Sequence, residues 1–540
     1  MEGRSASLAD EDATDGLAAS RATGAAAPDR TGFAPLRVAL ILPEGRAAPG
    51  VDAAAARLAR WLDADPRMAL VEIRRAPPAP APGGGPGAVA RLEARALRLA
   101  SAAPLPAPRS DVGAAEVAVD LTGCGAAAWQ GEIPPHGVWR LTSHASGAGL
   151  AEAMRGRPAT VVALLRETAE GAQEIDRARY NTKFLATRNA AFAAEKSVQL
   201  AARRLAALHA GASQGAAPLA DAAPPPGALP PAALPPAASL PGYAPRLALA
   251  LGRRVATKAG RRLGLAPGDF ALRLCPGGPL DFDPARGATL MPPKGHYWAD
   301  PFLFEHRGET FLFWEDYVHA LGRGTLQAGR LEGDRLTPLG APLEAEHHLS
   351  YPFVFAAGGD IWLMPETIGA GRLEMWRATD FPLGWELAAT AFEGRPPADA
   401  VLAQVAGDWW LFANFCEDGF GDYGSELHIF RVDGPLLREI EPHPLNPVVI
   451  DAATARGGGR VWQEGGRLYR ASQDNTHDLY GWGLNVMEIT RLDMAGYAER
   501  RVRHVRPGFR PGVIGCHHID FAGGRVVIDV RYRFPRLARG

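Results

Sequence analysis

The stretch DPFLFEHRGETFLFWE, residues 300–315, consists of an apolar run, a polar turn centred on Gly308 and a second apolar run. This pattern is typical of a tight β-hairpin. Four more stretches fit the same frame: YPFVFAAGGDIWLMPE from Tyr351, DAVLAQVAGDWWLFAN from Asp399, GGRVWQEGGRLYRASQ from Gly458 and CHHIDFAGGRVVIDVR from Cys516. The chain therefore repeats one hairpin pattern along its second half.

The repeated hairpins share one register. Eight positions after each start there is always a glycine, namely Gly308, Gly359, Gly407, Gly466 and Gly524. Fifteen positions after each start there is always a polar residue, namely Glu315, Glu366, Asn414, Gln473 and Arg531. Repeats of about 40–50 residues that leave room for four strands are the signature of a β-propeller. We therefore predict a five-bladed β-propeller over residues 280–534.

The two ends of a hairpin lie at the same edge of its sheet, so this register predicts a group of polar side chains around one axial opening. The group comprises Asp300, Glu315, Glu366, Asp399, Asn414 and Gln473. Chemistry at a glycosidic bond needs one carboxylic acid and one carboxylate. We predict Asp300 as base or nucleophile, Glu366 as general acid, and Glu315 as a neighbour that shifts their pKa values.

A structural interpretation of the same carboxylates is also open. An Asp before Pro commonly caps a turn through its own side chain, which would account for Asp300. Glu315 and Glu366 would then be solvated ends of strands. The later repeats begin with Gly458 and Cys516 instead of an Asp, so the predicted site is asymmetric.

Further side chains near the repeat ends are candidates for substrate binding. We predict that Trp298, Tyr351 and Trp482 stack on sugar rings, and that hydroxyl groups are bound by Gln473, Asp474, His517 and His518. The two histidines are adjacent in a predicted strand, so their side chains should point to opposite faces. On that basis only one reaches the opening, and neither a shared metal nor a cofactor is expected.

Composition narrows the class of protein. The 58 basic and 59 acidic residues of the 540-residue chain offer no electrostatic case for a nucleic-acid partner. The four cysteines lack metal-ligand or disulfide-framework spacing, which favours reduced thiols and a cytoplasmic location. No apolar run has the length needed to span a bilayer, and the acidic N-terminus is not a secretory signal.

The first half of the chain predicts a different architecture. Residues 1–34 should be disordered, and 35–210 should form a small parallel α/β domain. Its strands are predicted at Leu36–Leu42, Ala69–Ile73, Val117–Leu121, Gly137–Thr142 and Thr160–Leu165, and its helices at Ala53–Leu62, Val89–Leu99 and Asn189–Leu208.

Two segments of special composition connect the two halves. Residues 211–245 are rich in Pro and Ala and predict a linker. Residues 246–279 are a basic helix and lead-in to the propeller. That helix, over 246–264, either docks on one of the domains or contacts an anionic membrane surface.

The strings YWADPFLFEHRGETFLFWED from Tyr297, SELHIF from Ser425, HPLNPVV from His443 and GRVWQEGGRLYRASQD from Gly459 carry a family resemblance. They resemble the domain at the N-terminal side of plant glucosamine inositolphosphorylceramide transferases. That domain in turn looks like the five-bladed propellers of glycoside hydrolases that act on arabinan, xylan and fructan. The resemblance implies a catalytic carboxylate at Asp300, because those enzymes carry an Asp at the start of the innermost strand of the first blade.

The first domain is similar to the N-terminal fold of formyltransferases that use a folate formyl donor, on the strings VDLTG and HGVWRLTSHASG. Those enzymes carry an Asn-x-His arrangement and a later Asp. Here the nearest equivalents are Ser143 and His144, and the loop expected to bring the Asp reads EGAQEI. The resemblance therefore implies a degenerate formyltransferase-like domain.

Three functions fit these observations. The favoured one is glycosyl transfer or hydrolysis at the axial carboxylates, in synthesis or modification of a glycan or glycolipid, with a carbohydrate, glycolipid or sugar nucleotide as partner. The second is a non-catalytic sugar-binding module that recruits an enzyme. The third is a formyl or acyl transferase that acts on an amino sugar.

Overall fold

The computed structural model describes residues 34–45, 50–79, 104–109, 111–144, 148–211, 240–262, 269–477 and 479–533. These residues fall into two compact units that divide between Arg253 and Arg254. The predicted helix Val89–Leu99 and nearly all of the predicted disordered segment 1–34 lie outside the described residues, as does most of the predicted linker 211–245.

The first unit contains a six-stranded mixed sheet in its described part. The strands are β1 (Leu36–Pro43), β2 (Met68–Ala76), β3 (Val117–Asp120), β4 (Val138–Leu141), β5 (Ala159–Thr168) and β6 (Gly171–Asn181). Their order is β2-β1-β3-β4-β5-β6. Strands β1 to β4 pair in parallel, whereas β5 and β6 add to the edge as an antiparallel hairpin.

The prediction of a purely parallel sheet is therefore wrong for its last two strands. Strand β6, GAQEIDRARYN, is an edge strand that buries only alternate residues of its second half. Such a polar strand lacks the continuous apolar run that marks a buried one, so its sequence alone did not indicate a strand.

Four α-helices complete the described first half of the chain: α1 (Val51–Ala64), α2 (Leu150–Arg155), α3 (Ala186–His209) and α4 (Leu240–Arg262). Helix α4 begins inside the predicted linker, and its first turn contacts the first unit. The Tyr243 hydroxyl accepts a hydrogen bond from the backbone N–H of Ala186 at 3.0 Å, and Arg246 Nη1 donates to the carbonyl of Met154 at 3.2 Å. None of the helices in the described ranges combines the length and apolar character needed to cross a bilayer.

The second unit is a five-bladed β-propeller, which confirms the predicted fold class for this half of the chain. The first blade comprises β9 (His296–His306), β10 (Glu309–Val318), β11 (Arg323–Glu332) and β12 (Arg335–Gly340). The second comprises β13 (Ser350–Ala357), β14 (Asp360–Glu366), β15 (Leu373–Asp380) and β16 (Gly384–Ala391). The third comprises β17 (Ala398–Val405), β18 (Asp408–Asn414), β19 (Glu426–Val432), β20 (Ile440–Pro442) and β21 (Val449–Ile450).

The fourth blade comprises β22 (Gly457–Glu464), β23 (Arg467–Asp474), β24 (Gly483–Asp493) and β25 (Gly496–Val505). The fifth combines β26 (Val513–Gly515), β27 (Ile519–Ala522) and β28 (Arg525–Tyr532) with the earlier strands β7 (Phe270–Pro276) and β8 (Ala288–Leu290). The innermost strands β9, β13, β17, β22 and β27 contact one another in a closed ring.

The five predicted hairpins all form, and each turns through two residues. The last paired residues of the two strands directly flank the turns 307–308, 358–359, 406–407, 465–466 and 523–524. Both residues of every turn have positive φ, for example Arg307 at 51° and Gly308 at 81°. Positive φ at both central positions is the requirement of a type I′ turn, and it explains the glycine that recurs in each repeat.

The ring of blades is closed by pairing between the two ends of the propeller. Strand β7 pairs antiparallel with β28, from Arg525↔Pro276 to Arg531↔Phe270. The propeller therefore begins at Phe270, and the predicted start at about residue 280 is too late. The strand was missed because its partner is more than 250 positions away in the chain, and no local pattern distinguishes a closing strand from a lead-in.

We predict that Leu272→Ala lowers the free energy of unfolding by about 2–5 kcal/mol, because Leu272 is fully buried in this closing strand. Leu339→Ala, at a side chain that is 41% exposed on β12, is the matched control and should change it by less than about 0.5 kcal/mol. Urea unfolding followed by tryptophan fluorescence measures both. Equal effects would show that β7 is not part of the propeller core.

Candidate functional site

Three inner strands share an unusual backbone conformation where the candidate site lies. Asp300, Tyr351 and Asp399, at the same position of the first three repeats, have φ of 49°, 49° and 48°. A left-handed conformation costs an L-residue about 1–2 kcal/mol. Strand pairing is interrupted at each of them, between 299 and 302, between 350 and 353 and between 398 and 401. Strain of this kind is concentrated at functional sites.

Asp300 lies against two histidines of the fifth blade. Its Oδ1 is 3.2 Å from His517 Nε2 and 3.8 Å from His518 Nδ1, and the carboxylate is almost fully buried. Burial alone would raise the pKa of Asp300, but the hydrogen bond and charge of His517 outweigh it and lower the pKa. Burial likewise opposes the charge on His517, yet Asp529 and Asp300 raise its pKa to about 10.

The prediction that His517 and His518 point to opposite faces is wrong. Both residues lie in the connection between β26 and β27, outside any strand, so the alternation of a pleated strand does not apply. The His518 ring packs against Phe302 and Tyr351, with ring centroids 4.5 Å and 5.1 Å away. Both histidines are therefore neighbours of Asp300.

Glu315 is buried beside this pair. Its Oε1 is 3.6 Å from His348 Nε2, which is too far for a hydrogen bond. This oxygen has no hydrogen-bond partner among the residues that the structure describes. Burial raises the pKa of Glu315 well above its usual value, and the charges of Asp300 and Glu366 add to the effect. Burial also lowers the pKa of His348 to about 4. Burial thus favours the protonated form of Glu315, beside an imidazole that is neutral at pH 7.

Glu366 and Asp399 share one cation, Arg456. The guanidinium donates to both carboxylate oxygens of Asp399, at 2.7 Å and 3.1 Å, and its Nη2 is 3.6 Å from Glu366 Oε2. Gln473 Nε2 also donates to Asp399 Oδ2 at 3.0 Å. Burial raises the pKa of Glu366, the charge of Arg456 lowers it, and the charge of Asp300 raises it further. Burial raises the pKa of Asp399 to about 7, although the positive charge of Arg456 acts to lower it.

This arrangement separates the protonation states of neighbouring carboxyl groups. Asp300 stays ionised beside a cationic imidazole, whereas burial favours the protonated forms of Glu315 and Glu366. Carboxyl groups whose environments push their pKa values apart can serve as base and acid in one reaction. Both glutamates therefore have the properties of an acid, although only Glu366 was predicted to act as one.

Other predicted binding residues have their polar or aromatic groups engaged within the protein. The Tyr351 hydroxyl accepts from the N–H of Gly459 at 2.9 Å and donates to its carbonyl at 3.2 Å. Asn414 Nδ2 donates to the carbonyls of Glu426 and Ala455, and its Oδ1 accepts from Gly457. Trp298 packs against Trp314, with ring centroids 5.2 Å apart. Structural roles account for these contacts.

Asp474 and Trp482 belong to a separate set of contacts in the fourth blade. Asp474 accepts a 2.6 Å hydrogen bond from the Thr476 hydroxyl and lies 3.3 Å from His504 Nε2. Burial opposes ionisation of Asp474, but its contacts with His477, His504 and Thr476 hold its pKa well below the usual range. The Trp482 ring stacks on His477 at 3.5 Å between centroids. In the structure, Trp482 is covered on that face by a side chain of the protein.

Several site residues were not predicted. Arg456 directly precedes the fourth hairpin, Asp529 lies within the apolar run VVIDVR, and Tyr480 follows the fourth hairpin. The Tyr480 ring is 5.1 Å from that of His517 and 5.5 Å from the Arg456 guanidinium carbon, yet the residue is 45% exposed. An acidic residue inside an apolar strand was the one available signal for Asp529, because a charge is buried only when it is paired.

Among the residues that the structure describes, two groups of side chains have spacings that could suit a metal ion. Ligand atoms of Asp300, His517 and Asp529 lie within 4.8 Å of one another, as do those of Glu417, Glu426 and His428. In the first group both nitrogens of His517 face carboxylates and the pKa of the ring is raised to about 10. The two carboxylates on either side of the ring suit an ion pair with a cationic imidazole.

The fold and these residues define a five-bladed β-propeller with a buried carboxylate cluster around its axis. Residues 288–507 match the family model described as glucosamine inositolphosphorylceramide transferase 1, N-terminal, which confirms the resemblance predicted from the sequence. The glucosamine inositolphosphorylceramide transferase 1 of Arabidopsis thaliana is 32% identical over 235 residues, which are 42% of this chain and 30% of that protein. The protein of that name from Oryza sativa subsp. japonica is 35% identical over 259 residues, 44% and 34% of the two chains.

The chain thus spans about a third of the length of these curated relatives. Among solved structures, an α-L-arabinofuranosidase from Lactobacillus brevis aligns with a TM-score of 0.30 and 12% identity, over 42% of this chain and 79% of that one. The catalytic domain of an α-L-arabinofuranosidase from Coprinopsis cinerea aligns with a TM-score of 0.34 and 12% identity, over 48% and 97%. The propeller assignment itself rests on the five sheets described above.

We predict that Arg456→Gln lowers the free energy of unfolding by about 3–5 kcal/mol at pH 8, because it leaves two buried carboxylates without their cation. The loss should be smaller at pH 5. Arg456 lowers the pKa of both Glu366 and Asp399, so without it the folded state binds protons still more tightly, and the variant regains more stability than the wild type as the pH falls.

The control is Arg431→Gln, which breaks an exposed pair with Glu441 and should cost less than about 1 kcal/mol at either pH. Urea unfolding at the two pH values measures both variants. A loss for Arg456→Gln that does not depend on pH would contradict the assigned protonation behaviour.

Proposed function

We propose that the axial carboxylate cluster binds a carbohydrate and catalyses glycosyl transfer or hydrolysis, in synthesis or modification of a glycan or glycolipid. The observation that carries the proposal is the contrast between Asp300, kept ionised by His517, and the buried Glu315 and Glu366, whose pKa values are raised. A glycosidic bond needs this combination, since one group protonates the leaving oxygen while the other activates the attacking group. The names of the curated relatives, which contain glucosamine and inositolphosphorylceramide, support a glycolipid or a sugar as partner.

Each residue then has a role that follows from its surroundings. Asp300 acts as base or nucleophile. Glu366 donates the proton, and Glu315, whose Oε1 makes no hydrogen bond within the described structure, is available to a hydroxyl group of the substrate. The half-exposed ring of Tyr480 above His517 and Arg456 offers a surface for a sugar ring.

The second candidate is a non-catalytic sugar-binding module. It is favoured by the contacts of Asp399 and Glu366 with Arg456, since these carboxylates already have a partner within the protein. Such a site would recognise a sugar without transferring it. The two functions differ in one observable, because only the first produces a new glycosidic product or a hydrolysed one.

The formyltransferase-like character of the first unit stays a prediction. His144 is buried, its Nδ1 is 3.1 Å from the Ser143 hydroxyl, and that hydroxyl is 2.7 Å from Ser197. Burial lowers the pKa of His144 to about 3, so the ring is neutral at pH 7. His144 therefore contacts a hydroxyl group, whereas the resemblance to formyltransferases implies an Asp beside it. The cytoplasmic location and a sugar-nucleotide partner are likewise still predictions.

The proposal predicts that Asp300→Asn and Glu366→Gln each reduce turnover by about 10²–10⁴-fold, because each removes one proton-transfer group while keeping its shape. The full chain is incubated with a panel of oligosaccharides, glycolipids and sugar nucleotides, and products are followed by mass spectrometry. Asp316→Asn is the control, since Asp316 pairs with His296 and should leave turnover unchanged. Binding without turnover in the wild type would support the recruitment module, and no binding at all would refute a carbohydrate site.

Helix α4 carries a second, separate prediction. Leu249, Leu251 and Val255 are exposed, and the surrounding segment is basic. We expect the chain to sediment with vesicles that contain anionic lipid, and the variant Leu251→Asp/Val255→Asp to lose most of that binding. Leu321→Asp, at an exposed residue of the propeller, is the control. Equal sedimentation of wild type and the double variant would refute contact through this helix.

A further inference from the structure

Asp529 is fully buried on β28, and its two carboxylate oxygens contact both histidines and Asp300. Oδ1 accepts hydrogen bonds from the backbone N–H groups of His517 and His518, at 2.9 Å and 3.1 Å. Oδ2 is 2.7 Å from His517 Nδ1, and it accepts a 3.4 Å hydrogen bond from the backbone N–H of Asp300. One side chain therefore holds the connection that carries the histidines and the strand that carries Asp300.

The His517 ring lies between two carboxylates. Its Nδ1 faces Asp529, and its Nε2 faces Asp300. The rings of Phe270 and Tyr480 cover it at 4.8 Å and 5.1 Å between centroids. The other titratable groups that affect it electrostatically are His518, which is buried with a lowered pKa, and Glu315, which is buried with a raised one. Both ring nitrogens can donate only in the cationic form.

We propose that Asp529 is a positioning residue that holds the His517 ring, as a cation, against the carboxylate of Asp300, and so keeps the base of the site charged and oriented. Asp529 acts through His517, because its own contact with Asp300 is to the backbone. The proposal deepens the proposed function of the axial site. The proton on His517 Nδ1, however, can be measured without a substrate.

Replacement of the Asp529 carboxylate by the amide of asparagine should change the protonation state of the His517 ring. The oxygen of an Asn can still accept from the two backbone N–H groups, but its NH₂ group then takes the place of Oδ2 beside His517 Nδ1. Two donors cannot face each other, so Nδ1 gives up its proton and becomes an acceptor. His517 is then neutral, with its single proton on Nε2 toward Asp300, and the Asp300 carboxylate loses the neighbouring positive charge.

The test is a titration of the full chain labelled with ¹⁵N-histidine, with the His517 signals assigned by their loss in His517→Gln. In the wild type we expect both ring nitrogens to be protonated at pH 8, with a pKa of about 10. In Asp529→Asn we expect Nδ1 to be unprotonated at pH 8 and the pKa to fall toward the ordinary value of about 6.5. Asp520→Asn is the matched control, because Asp520 is a fully buried carboxylate of the same blade that pairs with Arg460.

A neutral His517 in the wild type at pH 8 would overturn the proposal, and this measurement decides the question even if Asp529→Asn does not fold. The proposal is also overturned if Asp529→Asn leaves His517 doubly protonated, or if Asp520→Asn lowers the pKa equally. Once a substrate is found, Asp529→Asn should lower kcat by about 10²-fold with little change in KM. Absence of turnover in the wild type would refute the catalytic function and leave the titration result intact.

Discussion

The interaction on which the site depends is the imidazolium of His517 between the carboxylates of Asp300 and Asp529. Charges of this kind are costly to bury unless they are paired, and here the partners come from opposite ends of the propeller. Asp300 belongs to the first blade, whereas His517 and Asp529 belong to the fifth, the blade that the early strand β7 completes. The contact between His517 and Asp300 therefore exists only where these two blades meet, so closure of the ring also completes the site.

The backbone of the inner strands supports the same site at an energetic cost. Three repeats carry a left-handed residue at their start, and in two of them, at Asp300 and Asp399, that residue is a carboxylate of the cluster. At the third, Tyr351 reaches across the axis and binds both backbone groups of Gly459. The fourth repeat needs glycine one position after its start, because a Cβ on Gly459 would come within 2.0 Å of the carbonyl oxygen of Ile519. The repeated fold thus accommodates an asymmetric set of side chains, as is usual where strain is retained at a functional site.

Much of this could be predicted from the sequence, because hairpins are local. A two-residue turn with positive φ requires particular residues within a few positions, so Gly308 and its four counterparts mark every blade. The register that the hairpins share is enough to predict that Asp300, Glu315, Glu366 and Asp399 lie together. The assignments that failed were not local. Strand β7 was missed because its partner is distant in the chain, and the two histidines were placed on opposite faces because their connection was taken for a strand.

The sequence by itself determined the five hairpins, their common register and the end of each blade at which the carboxylates lie. These features depend on residue periodicity and turn conformation, which act over a few residues. Only the tertiary structure decided which carboxyl groups are ionised. Asp300 and Glu315 lie on adjacent strands of one hairpin, yet their pKa values move in opposite directions. The difference comes from His517, more than 200 residues away in the chain, because a buried charge is governed by whichever groups the fold brings within a few ångströms.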